Sequence, residues 1–366
     1  MALFCVVAFL IGPAMAGNAE GAVEMTIGGK RLREDTHAIV LPAEPTESEQ
    51  YASAELREYL RRITGETIPR VRQTQLGDRT PLVVGRCDLI GELGIEVDWQ
   101  ALGEEGIRIG TADGALVLAG NRRGVIYATV TFLEDYLGCR WLSEDCITWP
   151  TEGRIDVPAI DRRYVPPLAY RDMCWPHGMP TEFAVHRKLN GTSFNTPVPG
   201  GNIPYKGFVH TFYRVAPPGE YFEEHPEYFA LVDGERRSGG AQLCLTNRET
   251  IRVATGTVLR WIEQTPAARI FSVSQNDWGG WCQCDDCAAL AEREGSQAGP
   301  LLHFVNAIAA EVEKKHPEVL IDTLAYSESL PPPQNIRPRP NVCVRLCSIE
   351  CAFDEPIATG TRNRRF

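Results

Sequence analysis

The sequence is poor in positive charge and, past its first dozen residues, holds no long apolar run. Lys and Arg number 37 against 48 Asp and Glu, a formal net charge of -11. Nucleic acid and anionic membrane surfaces both demand clustered Lys and Arg, so neither is expected as a partner. A few local basic groups could still hold an acidic substrate. No later segment reaches the roughly 18 consecutive apolar residues of a transmembrane helix, so no membrane span is expected in the mature chain. At 43% hydrophobic and 23% charged, the 366 residues are ordinary globular material, long enough for two domains.

The one apolar run is residues 3–12, followed by Ala14-Met15-Ala16, an A-x-A-like site that predicts cleavage before Gly17. Residues 1–16 therefore read as a secretory signal peptide, and the protein as exported, periplasmic or extracellular. No Lys or Arg precedes the run, so either the true start lies elsewhere or the signal is atypical. The competing reading is a buried first strand or helix. Of twelve cysteines, Cys5 leaves with the signal. The odd number remaining cannot all pair within the chain, so at least one is free, metal-bound or paired elsewhere.

Residues 36–41 read as a strand that ends at Pro42. Thr46-Glu47-Ser48-Glu49 matches a capping box, with Ala52, Leu56, Tyr59, Leu60 and Ile63 on one helical face and Gly65 as the stop. Residues 81–86 are a short strand, and residues 107–109 and 115–118 flank the hairpin signal Asp113-Gly114. A second helix runs from about Arg123 to Leu137, closed by Gly138. This order predicts an α+β domain over residues 25–150. Pro150, Pro158, Pro166 and Pro167 mark residues 151–167 as a linker.

Beyond the linker, residues 168–366 alternate strands and helices, which implies βα units and a parallel sheet. The expected strands are 169–174, 208–213, 268–274, 319–326 and 341–348; the expected helices are 248–265 and 299–315. Five or six such strands against the eight of a closed (β/α)8 barrel suggest a TIM-type barrel cut short. The fold class is then α/β, an N-terminal α+β domain followed by a partial TIM-type barrel.

Active residues in parallel βα folds sit at the carboxyl ends of strands. That rule selects Asn276-Asp277, Tyr326-Ser327-Glu328 and Glu350, with Arg171, His177 and His210 at earlier strand ends. Asp277, Glu328 and Glu350 would share one rim, and paired carboxylates are what glycoside cleavage requires. Trp175, Trp278, Trp281 and Tyr326 suit stacking on sugar rings. The plainer reading is that rim carboxylates cap helices and that single histidines are satisfied loop or core residues. Cys282-x-Cys284-x-x-Cys287 places three thiols in six residues. They could hold three corners of a Zn²⁺ site, with Cys343, Cys347, Cys351 or His303 as the fourth. In an exported protein a disulfide with one thiol left over competes, as do free thiols.

Several of these segments resemble a known family. The run Ser272-Val273-Ser274-Gln275-Asn276-Asp277-x-Gly279-Gly280-x-Cys282-x-Cys284-x-x-Cys287 is one. Others are Asp322–Tyr326, Val344–Cys351, His210–Tyr213 and Tyr221–Phe229. Together they resemble the DUF4838 family, exported bacterial proteins regarded as glycoside-hydrolase-like TIM barrels. Residues 51–65, 121–128 and 137–141 are similar to the non-catalytic N-terminal domain of α-glucuronidases and β-hexosaminidases. The resemblance implies a carbohydrate-directed hydrolase, and relatives place an acidic residue after the fourth barrel strand, where this chain has Asp277.

The leading expectation is an exported glycoside hydrolase with Asp277 and Glu350 as its acid/base pair. Arg171, His177, His210, Asn276, Trp278, Tyr326 and Glu328 would contact substrate, a poly- or oligosaccharide. No cofactor is required for catalysis; a structural Zn²⁺ at Cys282, Cys284 and Cys287 is one use of the thiols. The alternative is a carbohydrate-binding protein that does not cleave. A metal-dependent hydrolase is the third reading and the weakest, because all-thiolate sites are usually closed.

Overall fold

A computed structural model describes residues 23–173, 181–191 and 198–366. The expected signal peptide, Trp175 and His177 lie outside the described residues. The chain divides into two units, residues 23–190 with 198–202, and Gly191 with residues 203–366.

The first unit is built on a six-stranded sheet. Its strands are β1 (His37–Leu41), β2 (Arg70–Arg72), β3 (Thr80–Val84), β4 (Ile107–Ala112), β5 (Ala115–Ala119) and β6 (Asp161–Tyr164), ordered β6-β4-β5-β3-β1-β2. β2, β1, β3 and β5 run parallel, while the hairpin strand β4 is antiparallel to both β5 and β6. Every residue of β1 and β5 is buried, as expected of strands covered on both faces. A second sheet joins Glu24–Ile27 to Lys30–Arg31 and Arg154–Val157.

Helix α1 (Glu47–Thr64) starts where its capping box predicts. The Glu49 amide donates to Thr46 Oγ1 at 3.3 Å, and the Thr46 amide donates to Glu49 Oε2 at 2.8 Å. Glu49 Oε1 also accepts the Arg86 amide, tying the helix start to the end of β3. This approach requires Gly85, because a Cβ there would sit 2.2 Å from Glu49 Oε1. Gly65 closes the helix in the left-handed region at φ 77, donating to Arg61 O. The predicted face, Ala52, Leu56, Tyr59, Leu60 and Ile63, is buried against the sheet and α2 (Gly124–Asp135). Each large side chain there contributes roughly 1.5–3 kcal/mol.

Residues 151–167 do not behave as the expected linker. They carry the strand Arg154–Val157 and β6, which complete two sheets of the first unit. Pro158 falls between these strands, and Pro150, Pro166 and Pro167 fall outside them, so the prolines bracket the strands without breaking them.

The second unit has a four-stranded sheet of β7 (Tyr205–Lys206), β8 (Ile270–Ser272), β9 (Leu320–Ala325) and β10 (Val342–Leu346). All pairs are parallel and the spatial order follows the sequence. Helix α3 (Arg248–Gln264) connects β7 to β8; α4 (Asp285–Glu294) and α5 (Ala298–Glu313) connect β8 to β9. Phe212, Val258, Phe271, Phe304, Ile308 and Ile321 form its core. The sheet is open, and among the described residues no ring of strands closes.

Two expected strands are absent. Residues 169–173 pair with no strand. Residues 208–213 are broken by left-handed backbone at Phe208 (φ 54) and His210 (φ 55), and Phe212–Val215 forms a helical turn. A ladder cannot pass through such residues. We expect Thr46→Ala to lower the unfolding free energy of the first unit by about 1 kcal/mol, read by urea unfolding, because one orphan amide of α1 loses its acceptor.

Candidate functional site

All four strands of the second unit point their carboxyl ends to one edge, and the polar segments selected from the sequence leave from that edge. After β8 the chain runs buried through Ser274, Gln275 and Asn276 before exposing Asp277 and Trp278. After β9 it turns at once through Tyr326, Ser327 and Glu328. Gln275, Asp277, Trp278, Gly279, Trp281, Tyr326, Ser327 and Glu328 line a single recess of about 210 Å³.

Asp277 accepts a hydrogen bond of 2.8 Å from the Tyr326 hydroxyl. Burial, reinforced by the neighbouring Asp277 carboxylate, pushes the Tyr326 phenol up, so it keeps its proton and acts as a donor. His210 Nε2 lies 3.8 Å from Asp277 Oδ1. His210 Nδ1 is 2.8 Å from the Gln275 carbonyl oxygen. A carbonyl can only accept, so Nδ1 carries the proton and Nε2 faces the carboxylate. Glu328 is held below the usual carboxylate range, first by the Ser327 hydroxyl donating at 2.6 Å and then by its own backbone amide. Trp278 is 46% exposed and its indole N–H donates to Ala241 O at 2.8 Å, so the ring is anchored with a face left open.

The buried acceptor Gln275 Oε1 has no hydrogen-bond partner, while the Trp281 indole N–H helps to hold the Glu328 carboxylate low. Gln275 itself is only 2% exposed, and its amide nitrogen is taken by Ser329 Oγ at 2.8 Å.

The loop is held by a residue that local patterning did not select. Gln242, fully buried, accepts the Asn276 amide at 2.9 Å and donates to the carbonyls of Asn276, Trp278 and Gly279. Its own backbone amide donates to Gly280 O, where a Cβ on Gly280 would stand 2.5 Å from Gly240 O. Asn276 turns its side chain inward, donating to Ala241 O at 3.2 Å, so it braces the loop.

Other predicted residues fall elsewhere. Glu350 pairs with Arg365 at 2.9 Å and does not line the recess; Glu328, expected only to contact substrate, stands there as the second carboxylate. Arg171 belongs to the first unit, where it pairs with Glu105 at 2.8 Å and donates to Lys188 O. Burial pushes the Glu105 carboxyl up, but Arg171, Asn190 and Arg123 outweigh it and hold it low. Arg171 is thus a member of a buried ion network.

Asp322, in β9, was not singled out. It is 3% exposed and paired with Arg345 at 3.1 Å. Burial pushes it from 3.8 up to about 6, and Arg345 opposes the shift. A raised carboxyl contributes stability that is present at acid pH and is lost as pH rises through the folded value. The stability of the wild type relative to Asp322→Asn should therefore fall by on the order of 3 kcal/mol from about pH 3.5 to about pH 7. Urea unfolding at each pH reads this, and a difference flat with pH would contradict it.

Next to the recess loop, Cys282, Cys284 and Cys287 meet Cys244, and the four Sγ atoms lie within 4.8 Å of one another. The cluster could hold a metal ion. Its fourth member is Cys244, and not the expected Cys343, Cys347, Cys351 or His303, none of which joins it. Among the described residues every cysteine is a free thiol. Hydrogen bonds from Cys282 and Cys287 hold Cys244 low, while Cys282, facing that thiolate, is pushed up to about 11.

The second unit thus presents a carboxylate-lined recess at the carboxyl edge of a parallel sheet. The chain belongs to the DUF4838 family, described as a domain of unknown function, which matches residues 141–366. No curated protein matches. A solved structure of a "GH138 enzyme targeting pectin rhamnogalacturonan II" is similar at 9% identity and TM-score 0.24, over 80% of this chain and 31% of that one. No helix among the described residues is long and apolar enough to cross a membrane.

Proposed function

We propose that the protein is an exported glycoside hydrolase whose second unit cleaves glycosidic bonds in a poly- or oligosaccharide. One observation carries the reading: Asp277 and Glu328 enter the same recess from the carboxyl ends of adjacent parallel strands, beside the half-open ring of Trp278. Four parallel strands in sequence order, joined through helices, support reading the unit as part of a (β/α) barrel, the frame on which such rims are built.

The chemistry derives from the environments. Glu328, held ionised by Ser327, is the nucleophile or the base that activates water. Asp277, oriented by Tyr326 and faced by His210 Nε2, exchanges the proton of the leaving oxygen. Trp278 carries the sugar face. No cofactor is needed for these steps.

A hydrolysis screen of the full chain on aryl glycosides and plant or algal polysaccharides tests the proposal. Asp277→Asn and Glu328→Gln should each lower kcat by a factor of about 10² or more, while Glu350→Gln stays within about twofold. Oligosaccharide binding without any cleavage would make this a binding protein. Cleavage undisturbed at both recess carboxylates, and lost at Glu350, would return the site to the pair expected from sequence.

A further inference from the structure

We infer that Cys244, Cys282, Cys284 and Cys287 bind one Zn²⁺ tetrahedrally, and that this closed site clamps the loop carrying Asp277 to the segment that supports it. The spacing is the first argument. Cys244 Sγ lies 3.7 Å from Cys284 Sγ and 4.0 Å from Cys287 Sγ. Four thiolates at a Zn–S length of about 2.3 Å stand about 3.8 Å apart. A disulfide would bring two sulfurs to about 2.05 Å, far closer than the 3.7 and 4.0 Å between Cys244 Sγ and those of Cys284 and Cys287.

The surroundings are the second argument, because four thiolates around one dication leave excess negative charge that the protein must answer. The Leu231 amide donates to Cys282 Sγ at 3.3 Å, and the Arg236 guanidinium lies 3.9 Å from the same sulfur. The Thr246 hydroxyl stands 3.1 Å from Cys287 Sγ. Cys284 occupies the N-cap of α4, where unpaired amides and the helix dipole favour a thiolate. Cys244, Cys282 and Cys287 are buried in a small apolar cluster with Ala230, Val232 and Ala241. With all four corners supplied by the chain, no position is left for water or substrate, so the ion is structural.

The position in the chain gives the site its role. Cys244 lies two residues beyond Gln242, and Cys282 two residues beyond Gly280. Gln242 grips Asn276–Gly280 through hydrogen bonds. The metal ties the same two stretches of chain just past that grip, so the loop cannot lift without opening one or the other. Binding energy at such a site is folding energy for the segments it joins. This inference stands whether or not Asp277 does chemistry.

Elemental analysis of the untagged full chain should find about one zinc per chain and no iron. Exchange of zinc for Co²⁺ should give the intense visible bands and the thiolate-to-metal charge transfer of a tetrahedral thiolate site. Cys244→Ser should lose or greatly weaken both, and Cys347→Ser and His303→Ala should keep them. Chelation of the metal should speed hydrogen exchange at the Asn276 and Gln242 amides. Iron in place of zinc, a metal-free chain with a disulfide among the four cysteines, or Cys244→Ser with full zinc affinity would overturn the site. Unchanged loop exchange after zinc removal would overturn the clamp. Should Cys244→Ser fail to fold, metal content and the cobalt spectrum of the unmutated chain decide by themselves.

Discussion

The candidate site depends on one buried amide. Gln242 has no solvent access, and its side chain spends both its acceptor and its donors on the backbone of residues 276–279. A loop at the end of a parallel strand has no ladder to fix it, so its carbonyls and amides must be matched by side chains or water. Gln242 supplies that match. The exposed Asp277 can then sit on a stiff base, and Trp278 can be pinned through Ala241 O. Leaving those carbonyls unmatched in a buried place would cost about 1–3 kcal/mol each, which explains why an amide and not an apolar side chain occupies the position.

The two carboxylates of the recess are served by different donors. Tyr326 reaches across from the end of β9 to hold Asp277, while Glu328, two residues further on, is served by Ser327 beside it. Asp322 makes the contrast sharper. It lies in the strand itself, buried, and there burial prevails over the Arg345 pair. Position along one short segment, from strand interior to turn, thus moves a carboxyl from above its ordinary value to below it.

What was legible in the sequence was local. The box at Thr46 and Glu49, the stop at Gly65 and the Asp113-Gly114 hairpin are written in neighbouring residues and are found as expected. The strand-end rule picked Asp277, Tyr326 and Glu328 from nothing more than an apolar run and the polar residues directly after it. It could not rank Glu328 above Glu350, since both come after a strand, and only the fold shows one entering the recess and the other turning to Arg365. Gln242 and Cys244 escaped because their partners lie 34 to 43 positions away. The apolar pattern of residues 208–213 misled because left-handed backbone at Phe208 and His210 leaves no trace in hydrophobic periodicity. The prolines of 151–167 misled in the opposite sense, marking the ends of strands and not a linker.

The most direct measurement is an experimental structure of the full chain with a bound oligosaccharide. The account predicts a sugar ring against the face of Trp278 and a glycosidic oxygen between the carboxyls of Asp277 and Glu328. A sugar seated away from this recess, with neither carboxylate in contact, would contradict it.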